Sequence, residues 1–366
     1  MAVVTKTIGT GGDYATITAF EAAINNTTYP AAGTDVVGQI IEAKDWNENP
    51  VFNQTDTNIT SITLTVASGI RHNGVEGGNA GQTTRARLRP TAGSSGITDI
   101  VGVNFTVEWL DIDGRGRGTS GFSAIEYEYT GSVGPHTFRY LLIHDFTATQ
   151  GFIHAAIRSS NIIHTATIRV FNCVIYLYKD IGTTKTSAVG IDATGAAGAT
   201  WEIANVTVWK VTSGQSGVGK GINRNTATVK VKNCVVAECS SSQFAGAFEA
   251  TSNNNCSTDG TAPGASSLLN KTLAEVAFVS TAVGGEDLHI QTGSVLKDAG
   301  MDLSASGIAD DIDAQARPQG AAYDIGADEL LASGPTDSEQ LNLLHHEPAE
   351  EWLLRSNRIE EAMVGA

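Results

Sequence analysis

Two carboxylates and one arginine recur at nearly equal intervals and could act chemically on a sugar. Glu126, Arg158 and Asp192 are 32 and 34 residues apart. If each interval is one coil of a stacked repeat, the two acids lie about 9.6 Å apart. That separation is near the upper limit for an inverting glycosidase, and Arg158 could bind an anionic sugar. We favour the other interpretation, a surface ladder in which Arg158 cancels the repulsion between its neighbours.

Two glycine-rich patterns resemble nucleotide-binding loops only in part. Gly116-x-Gly118-x-x-Gly121 has the form of a dinucleotide fingerprint, but it joins two predicted strands and no helix follows it. The segment GQSGVGKG, residues 214–221, resembles a phosphate-binding loop, but glycine follows Lys220 where Ser or Thr would hold magnesium. The sequence therefore predicts corner loops and no nucleotide.

Histidines and aspartates are the candidate metal ligands. His144, His154 and His164 lack the HxxxH or HExxH spacing of zinc ligands on a helix, so we predict no metal there. A group of aspartates near the end of the repeat could hold Ca²⁺, although its spacing is not that of an EF-hand. Hydrogen bonds from turn amides explain most of these carboxylates, and no cofactor is predicted. The group is Asp298, Asp302, Asp310, Asp311, Asp313, Asp324 and Asp328.

A repeat of about thirty residues must position these side chains. Five short, roughly alternating and β-branched segments end at positions that step by 31, 32, 33 and 28 residues. Strands that return once per repeat, with no helical pattern between them, predict a parallel β-solenoid whose coils stack on one another. The end positions are Ile112, Ile143, Ile175, Val208 and Val236.

A second column runs in phase with the first. Its apolar row is predicted to face inward, and the polar row that follows it, which contains Glu126, Arg158 and Asp192, is predicted to face outward. The apolar row is Ile125, Ile157, Ile191, Ile222 and Phe248, and the polar row continues with Asn223 and Glu249.

Asparagine and cysteine also recur in columns. Asn172, Asn205 and Asn233 share one position near a strand bend, which predicts an asparagine ladder whose side chains satisfy one another and the turn backbone. Cys173 and Cys234 are two coils apart, about 9.6 Å by the strand spacing, so we predict buried thiols and no disulfide.

The two ends differ from the repeat. Thr18-Ala-Phe-Glu21 reads as the capping box of a short helix that plugs the first coil. The irregular acidic segment after the last coil reads as a closing cap. The predicted divisions are an N-terminal strand and capping helix at 1–35, a parallel β-helix at 36–285, an acidic cap at 286–331, and a linker and helical tail at 332–366.

The tail reads as two short acidic helices, broken at Pro348, after an Ala-Ser-Gly-Pro linker. Its apolar side chains predict an element that docks on an assembly partner, and packing on the chain's own solenoid is the alternative. These side chains are Leu341, Leu344, Trp352, Leu353, Ile359 and Met363.

The charge of the chain restricts its partners. The net charge is −16, and residues 286–366 hold 4 basic and 17 acidic side chains, against 19 and 22 in residues 1–285. Clustered acid argues against nucleic acid and anionic membranes as partners. No run of 18 apolar residues occurs, so no membrane insertion is predicted. The first residues lack the pattern of a secretory signal, so we expect a leaderless product.

Both ends carry a family resemblance. The opening Thr5-Lys-Thr-Ile-Gly-Thr-Gly-Gly-Asp-Tyr-Ala-Thr-Ile17 resembles the start of right-handed parallel β-helix proteins of the pectate-lyase-like group. The closing segments Asp287-Leu-His-Ile290, Ser294-Val-Leu-Lys-Asp-Ala-Gly300 and Tyr323-Asp-Ile-Gly-Ala-Asp-Glu329 resemble the end motif of bacterial and phage β-helix repeat proteins. The resemblance implies an all-β, single-stranded, right-handed parallel β-helix.

That group contains polysaccharide lyases, pectin esterases, phage tailspikes and inert virion proteins. This sequence lacks the lyase calcium site with its catalytic Arg or Lys and the Gln/Asp/Asp/Arg set of the esterases. We therefore predict a virion structural protein of a tailed phage, as a capsid decoration, head fibre or tailspike component, with an extracellular location as the alternative. Its predicted partners are other virion proteins, a host surface glycan and further copies of the chain, with a trimer suggested by the resemblance. The alternative function is a polysaccharide lyase or glycoside hydrolase that uses Glu126, Arg158 and Asp192.

Overall fold

The computed structural model describes most of the chain up to Leu331. The described residues are 2–26, 32–54, 56–76, 84–91, 95–115, 123–129, 134–148, 154–160, 163–180, 187–196, 198–214 and 218–331. The predicted docking side chains of the tail (Leu341, Leu344, Trp352, Leu353, Ile359, Met363) and the glycine pattern at 116–121 lie outside these residues.

Short strands dominate the described residues. The first half of the chain contains β1 (Ala2–Ile8), β2 (Thr34–Ile40), β3 (Asp45–Trp46), β4 (Val51–Phe52), β5 (Ile59–Val66), β6 (Arg87–Leu88), β7 (Ile97–Asp99), β8 (Asn104–Glu108), β9 (Asp111–Asp113), β10 (Ile125–Tyr127), β11 (His136–Arg139), β12 (Leu142–His144), β13 (Thr147–Ala148) and β14 (His154–Ser159). The second half contains β15 (Thr167–Tyr176), β16 (Lys179–Asp180), β17 (Ser187–Ala193), β18 (Thr200–Trp209), β19 (Thr212–Ser213), β20 (Val218–Arg224), β21 (Thr228–Lys232), β22 (Val235–Ala237), β23 (Ser242–Ala245), β24 (Cys256–Ser257), β25 (Phe278–Ser280) and β26 (Asp287–Ile290).

Two α-helices, α1 (Ile17–Asn26) and α2 (Leu273–Val276), and two short 3-10 turns, Ser68–Ile70 and Ser304–Ser306, complete the elements. The longer helix has ten residues. Within the described ranges, no helix has the length and apolar character needed to cross a membrane.

The strands from β1 to β24 stack in parallel rows, with one strand per coil in each row, and β25 pairs antiparallel with β26. Row 1 contains β1, β2, β5, β8, β11, the first half of β15 and of β18, and β21. Row 2 contains β3, β6, β9, β12, the second half of β15 and of β18, β22 and β24. Row 3 contains β4, β7, β10, β14, β17, β20 and β23, and a short row contains β13, β16 and β19. The chain is therefore a right-handed parallel β-helix, which confirms the predicted fold class.

The repeat positions occupy true columns. Ile112, Ile143, Ile175, Val208 and Val236 are paired in register along row 2, and all are fully buried. Strands stack this way because each apolar side chain meets its equivalent on the neighbouring coils.

The second column is correct through Ile222 but wrong at its last member. Phe244 pairs with Ile222 and Ala245 pairs with Asn223, in place of the predicted Phe248 and Glu249. The corner between β22 and β23 has only four residues and no strand of the short row, so the strand arrives earlier in the sequence than the repeat suggests.

The helix at the N-terminus begins two residues earlier than its predicted capping box, because Ile17 is its first residue. Thr16 Oγ1 accepts the Ala19 amide at 2.9 Å, and the Glu48 carboxylate accepts the Thr18 amide at 2.7 Å. The capping box at Thr18 and Glu21 is therefore wrong, because a carboxylate from the next coil supplies the charge at the helix start. Phe20 of this helix is fully buried, as a helix that plugs the first coil requires.

Residues 273–331, which we call the closing segment, lie along the flank of the solenoid. The Gly326 amide donates to the Asn233 carbonyl at 2.8 Å, and the Tyr140 hydroxyl donates to Asp310 at 2.6 Å. Tyr140 and Asn233 belong to coils three steps apart. The acidic region that the sequence suggested as an end cap thus covers the side of several coils.

Candidate functional site

The strand register places Glu126, Arg158 and Asp192 side by side on row 3. Arg158 Nη2 lies 2.9 Å from Glu126 Oε1, and the Ser95 hydroxyl also donates to Glu126. Asp192 is buried and accepts Asn223 Nδ2 at 2.6 Å. Burial raises the pKa of Asp192, although the hydrogen bond from Asn223 opposes the shift. Both carboxylates are held by neighbours in the same row, which is the arrangement of a ladder.

A groove runs along the outer face of row 1. One residue per coil forms its floor, and the closing segment forms the opposite wall through residues 303–316. Two cavities of about 460 and 200 Å³ occupy it, the first lined by Gly307 and the second by Ser306 and Ile308. At the second cavity, Leu303 and Ile308 form an apolar cluster with Ala204, and Phe171 packs against this cluster. Four steps between coils give the floor a length of about 19 Å. The floor is Glu108, Arg139, Phe171, Ala204 and Lys232.

Charged side chains line this groove in pairs. Arg139 donates to Glu108 Oε2 through Nε at 2.8 Å, and its Nη2 lies 2.7 Å from the same oxygen. Arg169 lies two residues before the floor residue Phe171 on β15. Its Nε lies 2.9 Å from Glu202 on the next coil. Both arginine side chains are 41% exposed, so they keep N–H groups directed at solvent. Lys232 has no ion pair among the described residues, and the groove therefore presents donors and positive charge.

An aromatic pair closes one end of the groove. The rings of Trp109 and Tyr140 stack with centroids 4.1 Å apart and planes 3° from parallel. The guanidinium of Arg71 lies over Trp109 at 4.3 Å, and that of Arg139 lies over Tyr140 at 5.5 Å. Cation–π contacts on both outer faces hold the four side chains as one stack.

These two aromatic residues occupy a strained backbone position. Trp109 has φ 63° and Tyr140 has φ 50°, the left-handed region that bulky residues rarely adopt. Such strain is often stored at functional sites. Sequence reasoning missed the pair, although both residues lie in the repeat column that asparagine occupies in later coils.

The predicted column of asparagines lies at the same bend, but among the described residues no hydrogen bond joins one asparagine side chain to the next, so the predicted ladder is wrong in that respect, and two of the three contact the closing segment instead. Asn172, Asn205 and Asn233 all have φ near 50°. Asn172 Nδ2 donates to the Asp310 carbonyl at 2.9 Å, and Asn233 exchanges two hydrogen bonds with the backbone of Met301 at 2.8 and 2.9 Å. Asparagine thus provides both the left-handed turn and a dock for the closing segment.

The outer face of row 2 carries a buried network of charges. Arg87 is 1% exposed and lies 3.2 Å from Asp111, 3.5 Å from Asp113 and 3.8 Å from Asp45. Arg85 lies 2.9 Å from the same Asp111. Because the charges alternate from coil to coil, each is compensated within a region that excludes water.

His144 extends this network by one coil. Its Nε2 lies 2.9 Å from Asp111, and its Nδ1 lies 2.9 Å from Asp145. Burial by itself would lower the pKa of His144, but the charge of Asp111 and the hydrogen bonds to both carboxylates raise it to about 10. Burial would raise the pKa of Asp111, but His144, Arg85 and Arg87 hold it well below its usual range. His144 is therefore an imidazolium that ties two coils together.

Sequence reasoning did not single out this network. The alternating arginines of RARLRP, residues 85–90, read only as a strand, because their acidic partners lie on other coils. Residues 71–76 help to cover the network, since His72 Nε2 contacts the Tyr140 carbonyl at 2.9 Å and Glu76 lies 3.8 Å from His144. Because the network is buried, we assign it a structural role.

The structure also shows the environment of the other residues that the sequence analysis named: the glycine-rich segment 214–221, two histidines and two cysteines. In the segment 214–221, β20 begins at Val218, and a side chain at Gly221 would collide with Val236. His154 is buried, and His164 Nε2 contacts the Thr194 carbonyl at 2.9 Å. Cys173 and Cys234 are buried free thiols, and burial raises the pKa of each to about 12.

The aspartates of the closing segment accept main-chain amides. Asp324 accepts the amides of Asp298 at 2.6 Å and Leu330 at 2.7 Å. Asp311 accepts the amide of Glu329 at 3.0 Å. Burial raises the pKa of Asp311 and of Asp324 to about 6. Calcium bound by these carboxylates stays a prediction.

Comparison with known proteins does not assign the chain to a family. No family model matches the sequence, and no curated protein matches it. A solved structure that is similar is the pectin methylesterase from Aspergillus niger, with 12% sequence identity, a TM-score of 0.35, and coverage of 81% of this chain and 91% of that chain. The strand pairing described above, rather than this distant likeness, identifies the chain as a parallel β-helix.

Proposed function

We propose that the protein is a structural β-helix that binds an anionic polysaccharide lengthwise in the groove on row 1 and does not cleave it. The groove itself is the observation that carries this proposal. Its long axis follows the stack of coils, so the same type of contact recurs about every 4.8 Å along an extended ligand.

The charges of the groove support an anionic ligand. Three cations, Arg139, Lys230 and Lys232, line the groove with the carboxylates of Glu108, Glu202 and Asp310, and a fourth cation, Arg169, lies beside it in an ion pair with Glu202. A local excess of positive charge in a chain of net charge −16 is a feature that a polyanion would recognise. The arginines suit carboxylate or sulfate groups because their donors form a planar fork.

Affinity electrophoresis of the full chain through gels that contain polygalacturonate or neutral dextran tests the proposal. We expect retardation by polygalacturonate that weakens with salt, and little retardation by dextran. Lys232→Ala should weaken binding severalfold. The matched control is Lys179→Ala, which removes an exposed lysine from the short row. Equal retardation of both variants, or none for the wild type, would overturn the proposal.

The absence of cleavage rests on the row 3 carboxylates. Glu126 is engaged by Arg158 and Ser95, so it is not free to act as a base. One observation favours the alternative of a glycoside hydrolase, because a raised pKa suits Asp192 to donate a proton. Release of reducing ends from polygalacturonate, lost in Asp192→Asn and in Glu126→Gln, would establish the enzyme and refute the structural proposal.

As the setting for this activity we propose a virion of a tailed phage, with the chain held by residues 332–366. The support is the resemblance of both ends and the apolar side chains of the acidic tail. Particles assembled with a chain that lacks residues 333–366 test it. Loss of the chain from purified particles is the expected result, and unchanged incorporation would refute the role of the tail.

A further inference from the structure

His289, Asp313 and Asp328 form a cluster of ligand atoms separate from the groove. One nitrogen and two carboxylate oxygens lie within 4.8 Å of one another. His289 lies in β26, and the two aspartates lie in the last part of the closing segment. A metal bound about 2.1 Å from each ligand atom places those atoms about 3 to 4 Å apart, so small side-chain adjustments bring all three into contact with one ion.

The imidazole is oriented as in a metal site. His289 Nδ1 lies 2.5 Å from Asp287 Oδ1, and this contact directs Nε2 toward Asp313 and Asp328. Histidines that bind metals typically donate their other ring N–H to a carboxylate in this way, which fixes the ring and raises its basicity.

The cluster contains polar atoms that lack satisfactory partners. His289 Nε2 lies 3.1 Å from Asp313 Oδ2, but it makes no well-aligned hydrogen bond, and the buried Asp313 Oδ1 has no partner among the described residues. Asp328 is 6% exposed and is held in place because its Oδ2 accepts the Ile290 amide at 2.7 Å. Buried polar atoms without partners often mark the position of an ion or a water molecule.

Gly74 leaves space beside the ring nitrogen. A Cβ atom at position 74 would lie 3.0 Å from His289 Nε2, closer than side chains pack without movement. The space next to the free nitrogen therefore exists because residue 74 has no side chain. This observation is independent of the charges.

Three carboxylates face one imidazole in this cluster, and among the described residues no lysine or arginine forms an ion pair with them, so their negative charge is in excess. A divalent cation would neutralise it. A site with one imidazole nitrogen and carboxylate oxygens suits Zn²⁺ better than Ca²⁺, which prefers oxygen alone. We propose that His289, Asp313 and Asp328 bind a divalent transition metal, with Zn²⁺ as the first candidate, and that Asp287 orients the imidazole. The ion joins β26 to the last turn of the closing segment.

The test uses the full chain, stripped with a chelator and titrated with Zn²⁺, Mn²⁺ or Ca²⁺ by calorimetry, with bound metal measured by elemental analysis. We expect one Zn²⁺ per chain, a higher melting temperature, and weaker binding of Ca²⁺. Asp313→Asn should lower the Zn²⁺ affinity at least tenfold, and Asp287→Asn should lower it about 10- to 100-fold by releasing the ring.

Two control variants isolate the cluster. Asp302→Asn changes an exposed aspartate of the same segment and should bind Zn²⁺ like the wild type. Replacing His345 and His346 with alanine removes the adjacent histidines of the tail and should also have no effect. Absence of Zn²⁺ binding, or equal affinity in Asp313→Asn, would overturn the proposal. If a variant unfolds, the absorption bands of Co²⁺ bound to the wild type report whether a nitrogen ligand is present.

Discussion

The outer faces of rows 1 and 2 lie on the same coils, but the charged side chains are buried on row 2 and exposed on row 1. On row 2, Arg87 and Asp111 are buried under the rest of the chain. On row 1, Arg139 and Arg169 pair with glutamates but stay 41% exposed. The same residue types thus stabilise the fold on one face and remain accessible on the other. What differs is the covering segment: residues 71–76 help to cover the charges of row 2, whereas on row 1 the closing segment forms only the opposite wall of the groove.

The variant that removes a buried charge from row 2 should have the largest effect on the free energy of unfolding. Arg87→Ala removes a cation from the fully buried Asp111 and Asp113 and from Asp45, which is partly exposed. We expect a loss of about 3 to 5 kcal/mol in the free energy of unfolding. Denaturant titration measures it. A loss below about 1 kcal/mol in the free energy of unfolding would mean that water reaches the network as it reaches the groove.

Part of the pH dependence of stability should come from row 2. Because the pKa of His144 is raised to about 10 in the folded chain, its contribution is complete below the unfolded value of about 6.5 and is lost as the pH rises toward 10. Asp111 has a lowered pKa, so its contribution is present above about pH 3.9 and is lost in acid.

Melting temperatures at pH 6 and pH 10 measure the alkaline limb. The wild type should lose stability between these values, and His144→Gln, although less stable at pH 6, should lose much less. An equal loss in both proteins would assign the alkaline limb to other groups.

A smaller effect is expected where the closing segment meets the bend between the two rows. Tyr140→Phe removes the hydroxyl that donates to Asp310 at 2.6 Å and preserves the ring stack. A hydrogen bond to a charged group contributes about 1.5 to 3 kcal/mol. Chemical denaturation and hydrogen exchange of residues 303–316 should both report loosening. Exchange that is unchanged there would mean that this contact does not hold the wall of the groove.

The smallest effect on stability is expected on row 1. Arg169→Ala breaks an exposed pair with Glu202 and should change the free energy of unfolding by less than about 1 kcal/mol. The same variant should weaken binding of polygalacturonate. A large loss of stability would contradict the division between the two faces.

The sequence by itself determined the solenoid and its columns. Apolar residues that recur once per coil, such as Ile112 and Ile143, predict their own neighbours because identical positions stack directly in a parallel β-helix. The column of Glu126, Arg158 and Asp192 was predictable for the same reason. The repeat predicted Phe248 as the last member of the apolar column, but Phe244 occupies that position because a short corner shifts the register.

Only the tertiary structure decided what lies on the outside of the coils. The repeat describes contacts between adjacent coils, but the closing segment folds back to residues far away in the sequence, such as Tyr140 and Asp310, which are 170 positions apart. No periodicity encodes such a contact. The closing segment forms one wall of the groove and brings His289 next to Gly74, so the candidate sites exist only in the folded chain.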